Sequence, residues 1–164
     1  MFKKILSLLA FMAPMAYAVD VPLVGTVESK CIVTTDTQGV FGNPLPYRLS
    51  TAAADAGVEP IVRYDVVQAD YYKAFITYPT SFSESPALDD VINWTGSVSV
   101  AEVTDAGMSA YDQNKIEYDN VTEVELSIAG STWFKVSSQA DYGFNKALPA
   151  GTYRAVVQAE CIAQ

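Results

Sequence analysis

Apolar and polar residues alternate with period two along most of this chain, the pattern of half-buried β-strands. Val19, Val21, Leu23, Gly25, Val27, Ser29, Cys31 and Val33 share one face of an extended N-terminal run. Residues 42–46 (Gly-Asn-Pro-Leu-Pro) interrupt it, because proline fixes φ and lacks an amide donor. Residues 51–57 are small and alanine-rich, suited to one helical turn or a loop. Segments 61–67 and 71–78 are dense in β-branched and aromatic residues. They read as two strands, or as one bent near Ala69-Asp70. A polar loop at 81–90 leads to a strand at 92–103, with Trp94, Gly96, Val98 and Val100 on one side. Residues 105–120 are polar and turn-rich, the least ordered-looking stretch after the N-terminal leader.

A hairpin is predicted next. Val124, Leu126 and Ile128 face one way, Ala129-Gly130 supplies the turn, and Thr132, Phe134 and Val136 continue on the returning arm. The last strand spans 152–162, where Tyr153, Ala155, Val157, Ala159 and Cys161 alternate with Arg154, Gln158 and Glu160. Seven or eight strands without an amphipathic helix predict an all-β fold, an immunoglobulin-like two-sheet β-sandwich.

The two cysteines stand at opposite ends of this array, in the first and last strands. Their simplest reading is a Cys31–Cys161 disulfide clasping those strands together, since a thiol pair in an exported protein is most often a bridge. Export itself is read from residues 1–18. Lys3 and Lys4 precede an apolar stretch of about 11 residues, too short for the roughly 20 a membrane span needs, and Ala16-Tyr17-Ala18 fits a leader-peptidase site. The remaining chain, 19–164, is the size of one domain, with no internal repeat.

Composition narrows the function. The formal net charge is −9, and loss of Lys3 and Lys4 with the leader makes it two units more negative. Such a surface repels phosphate backbones and anionic lipid, so neither nucleic acid nor a membrane surface is an expected partner. The chain contains no histidine, which removes the commonest general base, the Ser–His and Cys–His nucleophile systems and most zinc sites. No catalytic set is assigned, and the expectation is a protein that is not an enzyme. Calcium is the one cofactor considered, because an exported acidic chain is rich in loop oxygens. Its candidate ligands are Asp112, Asn114, Glu117 and Asp119, with Asn120 beside them; Glu84, Asp89 and Asp90 form a second acidic group. The first set lacks the mid-loop glycine and terminal glutamate of a helix–loop–helix site. Tyr71, Tyr72, Tyr111, Tyr118 and Trp94 are candidates for a surface that stacks on sugars or a partner protein.

The run Val21-Pro22-Leu23-Val24-Gly25-Thr26-Val27-Glu28-Ser29-Lys30-Cys31 resembles the start of chaperone–usher pilins, and Pro149-Ala150-Gly151-Thr152-Tyr153 is similar to the approach to their last strand. The resemblance implies a sandwich completed by a strand from the next subunit, with Val19, Val21 and Leu23 as strand-donor positions and other filament proteins as partners. A Cys31–Cys161 bond bears on this, because bridged Cα atoms lie within about 7 Å. Strands on either side of an inserted third lie about 9–10 Å apart. The bond therefore favours a self-contained sandwich. The expected function is a non-catalytic structural or binding module of the bacterial cell envelope, in the secreted or periplasmic fraction or at the cell surface. The alternative is a fimbrial subunit assembled by donor-strand exchange.

Overall fold

The computed structural model describes residues 22–26, 31–144 and 146–164. The leader and the donor positions Val19 and Val21 lie outside the described residues. Ten strands are present among those described: β1 (Cys31–Thr37), β2 (Gly42–Leu45), β3 (Arg48–Ser50), β4 (Ile61–Val66), β5 (Tyr72–Thr77), β6 (Ile92–Val103), β7 (Ile116–Tyr118), β8 (Val121–Glu125), β9 (Gly130–Tyr142) and β10 (Gln158–Ala163). A single-turn helix α1 (Tyr111–Asn114) and two 3-10 turns complete the described secondary structure.

The strands form two antiparallel sheets. In the first, β9 is central: β6 pairs along one side, and on the other β4 and β3 pair with successive parts of it, flanked by β1 and β2. The second runs β10–β5–β8–β7. Period-two alternation turns Val62, Tyr64, Val66, Phe134 and Val136 of the first sheet toward Tyr72, Ala74, Ile76 and Val124 of the second, and all are buried. The Tyr64 ring is fully buried, and its hydroxyl lies 3.2 Å from the carbonyl oxygens of both Phe75 and Glu160, so one proton is shared between two strands of the facing sheet. Burial pushes this hydroxyl's pKa well above the usual tyrosine value, so it stays a donor.

Cys31 and Cys161 form the expected disulfide, with Cα atoms 6.3 Å apart. The strands it joins belong to different sheets, so the bond staples an edge of one layer to an edge of the other.

Four expectations change. The predicted hairpin around Ala129-Gly130 is a crossover between sheets: β8 pairs with β5 and β7, whereas β9 pairs in the other layer. Alternation reports which face is buried and is silent on which sheet a strand joins. Leu126 stays tied to the second sheet through Tyr72 O at 2.9 Å, and the chain then crosses to Gly130. There φ is +138°, and a Cβ would lie 2.7 Å from the Met108 Cε, so glycine is required.

Second, residues 42–46 do not end the strand pattern. Pro44 sits in β2, an edge strand, where a missing amide costs no ladder bond. Third, the polar stretch 105–120 is ordered by Met108 and Tyr111, both buried in the core. It contains β7, joined to β8 by the two-residue turn Asp119-Asn120, with φ +50° at Asp119. Fourth, the last strand begins at Gln158 rather than near Thr152. Its partner β5 ends at Thr77, and Pro79, which has no amide, carries the chain away.

No helix among the described residues is long and apolar enough to cross a membrane.

Candidate functional site

The first sheet is longer than the second. β6 and β9 span 12 and 13 residues, against 6 for β5 and for β10, so one half of the first sheet's inner face extends past its partner. On that overhang three of four inward positions are small: Gly96 stands opposite Ser138, and Ala140 opposite the large ring of Trp94. The Tyr78 ring occupies the space above Gly96, where a Cβ would lie 2.5 Å from it. An aromatic group covers the rest. Phe82 packs edge-on against Trp94 (4.8 Å between centroids) and Tyr153 (5.1 Å), and Phe41 lies 6.4 Å from Trp94.

Between this overhang and the C-terminal segment lies a cleft of about 410 Å³. Thr51 and Ser138 form part of its floor, Phe41 one wall and residues 155–157 the other. A second cavity of about 730 Å³ shares Phe41, Ala155 and Val156 and reaches Tyr153. No charged side chain lines the first cleft.

Two features of the lining leave hydrogen-bonding capacity unused. Ser138 is 2% exposed and its Oγ has no partner; Trp94 Nε1, on the same inward face of the sheet, is the other such atom among the described residues. A buried polar group left unsatisfied costs about 1–3 kcal/mol. The backbone of residues 155–157 is the second feature. It is extended between the Glu84↔Arg154 bridge and the Gln158↔Thr77 pair, and makes no backbone hydrogen bond among the described residues.

The residues predicted from sequence are distributed elsewhere. Leu23 is 97% exposed in a segment without regular structure. Asp112 accepts a hydrogen bond from the Val100 amide (2.9 Å), Glu117 pairs with Lys115 (3.0 Å), and the Asp119 carbonyl accepts from the Tyr78 hydroxyl (3.0 Å). Asn114 ends α1. No group of three or more side chains able to hold a metal occurs among the described residues. Asp89 and Asp90 converge on Lys146, and Asp89 also accepts from the buried Tyr142 hydroxyl. That hydroxyl first, then Lys146, holds the Asp89 pKa below the usual carboxylate range. The tyrosines do not assemble with Trp94: Tyr72 and Tyr111 are buried in the core, while Tyr71 and Tyr118 are exposed.

Phe41, Thr51, Ser138 and residues 155–157 were not singled out by sequence. One signal was readable. Ser138 interrupts the apolar inward row Phe134, Val136, Ala140 of β9.

At the far end of the overhang, Arg48 clamps Asp141 through both carboxylate oxygens (2.6 and 3.0 Å), and Gln139 adds a third bond. Arg48 chiefly, then Gln139, hold the Asp141 pKa below its ordinary value against the opposing effect of burial. A carboxyl whose folded pKa lies below the unfolded value of about 3.9 contributes stability that is fully present above that pH. The contribution is lost as pH falls through the folded value. Asp141→Asn is therefore expected to lower stability at pH 7 and to flatten its decline below about pH 4. Urea midpoints measured from pH 7 to pH 2.5 check this; parallel curves for the two proteins would contradict it.

Comparison with family models, with curated proteins and with solved structures yields no match to this chain.

Proposed function

We propose that this chain is an exported, non-catalytic binding or structural module of the bacterial cell envelope, an immunoglobulin-like sandwich delivered by the leader at residues 1–18. The observation that carries the reading is the uncharged cleft beside residues 155–157. Threonine hydroxyls and the Gln38 amide line it, residues 155–157 beside it make no backbone hydrogen bond among the described residues, and no titratable side chain lines it. The Cys31–Cys161 bond supports an oxidising compartment, and the histidine-free composition agrees with binding rather than catalysis.

The test is expression of the full chain in a bacterial host, followed by fractionation, intact mass and thiol titration. Recovery outside the cytoplasm, shortened by 18 residues and without free thiols, is expected. Full-length protein retained in the cytoplasm with two free sulfhydryls would overturn the reading.

A second reading, a fimbrial subunit assembled by donor-strand exchange, is favoured by one observation: Leu23 and Val24, 97% and 93% exposed, belong to an apolar segment ahead of β1. Deleting residues 19–24 should then abolish assembly while leaving the domain folded. Normal filaments from the deletion would dispose of it.

A further inference from the structure

We propose that the free edge of β6 pairs with the same edge of a second copy of this chain, joining two first sheets across a two-fold axis at Trp94. The proposal is independent of what the cleft binds.

The edge is open by its place in the fold. β6 ends its sheet and pairs with β9 alone. Within β9, the Val136 amide bonds to the Pro60 carbonyl and the Tyr142 amide to the Tyr47 carbonyl, so its even-numbered residues turn their backbone groups away from β6 and its odd-numbered ones toward it. In register with those odd-numbered residues are Asn93, Thr95, Ser97 and Ser99. The backbone groups of Ile92, Trp94, Gly96, Val98 and Val100 therefore point outward. The last two are capped: Lys115 Nζ donates to the Val98 carbonyl, and the Val100 amide donates to Asp112 at 2.9 Å. Ile92, Trp94 and Gly96 have no such partner among the described residues. They alternate with the exposed side chains of Asn93, Thr95 and Ser97.

Every other sheet edge among the described residues is guarded. β1 carries Asp36 and a register shift between Thr35 and Thr37. β2 contains Pro44, and β7 has three residues with Glu117 at its centre. β10 carries Glu160 and is stapled through Cys161. Charge, proline, irregularity and shortness are the devices that keep edges from pairing. Residues 91–101 contain neither charge nor proline.

Charge and register select a second copy as the occupant. The chain carries a formal charge of −9, so two copies repel except where they meet without acids facing each other. A basic partner would call for acidic side chains at the contact, and this edge has none. The register is self-complementary. Around the axis Trp94 pairs with Trp94 of the second copy, Ile92 with Gly96 and Gly96 with Ile92, and two bonds per pair use every free group. Asn93 then stands opposite Thr95 of the second copy on the outer face, where both are uncharged hydrogen-bonding side chains. On the inner face Ile92 meets Gly96, large against small. Residues 92–96 alone make a small contact, in the weak class below about 1,200 Å².

The experiment follows the exported, oxidised full chain from micromolar to millimolar concentration by sedimentation and by residue-resolved amide exchange. A reversible dimer is expected, with exchange at Ile92, Trp94 and Gly96 slowing as it accumulates. Ile92→Pro removes an outward amide and no bond to β9. Thr95→Glu sets a carboxylate on each side of the axis. Each should weaken dimerisation about tenfold or more, equivalent to at least about 1.4 kcal/mol. Should Ile92→Pro fail to fold, Thr95→Glu, a change at an exposed side chain, carries the test. Deleting residues 19–24 should leave the dimer intact. The proposal is overturned if the chain stays monomeric throughout, if a dimer forms while these three amides exchange as before, or if neither variant weakens it. Loss of association on deleting residues 19–24 would also overturn it and assign the contact to strand donation. None of these results touches the export and thiol criteria on which the binding-module reading stands or falls.

Discussion

Reducing the Cys31–Cys161 bond is expected to destabilise the domain by about 3–5 kcal/mol, since the bond closes a loop with a sequence separation of 130 residues and so restricts the unfolded chain strongly. For a chain of this size each kcal/mol moves the thermal midpoint by roughly 2–4 °C, so a fall on the order of 10 °C should follow. The native state adds a local reason. β1 and β10 are edge strands of different sheets, each hydrogen-bonded to one neighbour within its own layer, to β4 and to β5 respectively. Across the gap between them the staple supplements packing alone, because both half-buried cysteines lie against the core. Thermal unfolding followed by circular dichroism, with and without reductant and for the Cys31→Ser/Cys161→Ser double variant, checks this. Coincident midpoints for oxidised and reduced protein would show that the terminal edges are held by other means.

Much of the architecture was legible because burial on one face writes itself into alternate residues. The strand at 92–103 was placed to the residue, and the clasp followed from two cysteines in first and last strands. Partnership was not legible. Val124 and Phe134 both face the core, as predicted, yet they belong to opposite layers. A short sequence separation with a glycine serves a sheet-to-sheet crossing as well as a hairpin. The turn at Asp119-Asn120 carried the better local hairpin signal, hidden inside a stretch whose polarity suggested disorder.

The candidate cleft was less visible still, for a physical reason. It exists because the second sheet stops short, and where it stops depends on Pro79 ending a strand whose partner lies some 80 positions further along the chain. Residues 153–157 keep their alternation although the ladder has ended, with Tyr153, Ala155 and Val157 half-buried and the residues between them exposed. The sequence therefore looks like a paired strand through a segment in which residues 155–157 make no backbone hydrogen bond among the described residues.

Phe134→Ala is expected to cost about 3–5 kcal/mol, the range for deleting a buried aromatic ring and leaving a cavity. The ring is 1% exposed on the central strand β9, packed edge-on against Tyr64 at 5.6 Å and stacked with Tyr111 at 6.5 Å. Contacts of this geometry add to the area buried, by about 0.5–1.5 kcal/mol each. Its removal loosens three segments at once: β9 itself, β4 through Tyr64, and the 105–115 region that Tyr111 anchors. Urea unfolding should show a lowered midpoint with an unchanged slope. Phe144→Ala, at a ring 94% exposed, serves as control and should stay within about 0.5 kcal/mol. Equal losses at the two positions would mean that the core is not where the strands place it. The same strand provides a contrast in stability. Ser138 lies two inward positions beyond Phe134, past the point where the facing sheet ends. Its buried hydroxyl has no partner, so Ser138→Ala should leave the urea midpoint unchanged or raise it, whereas Phe134→Ala lowers it.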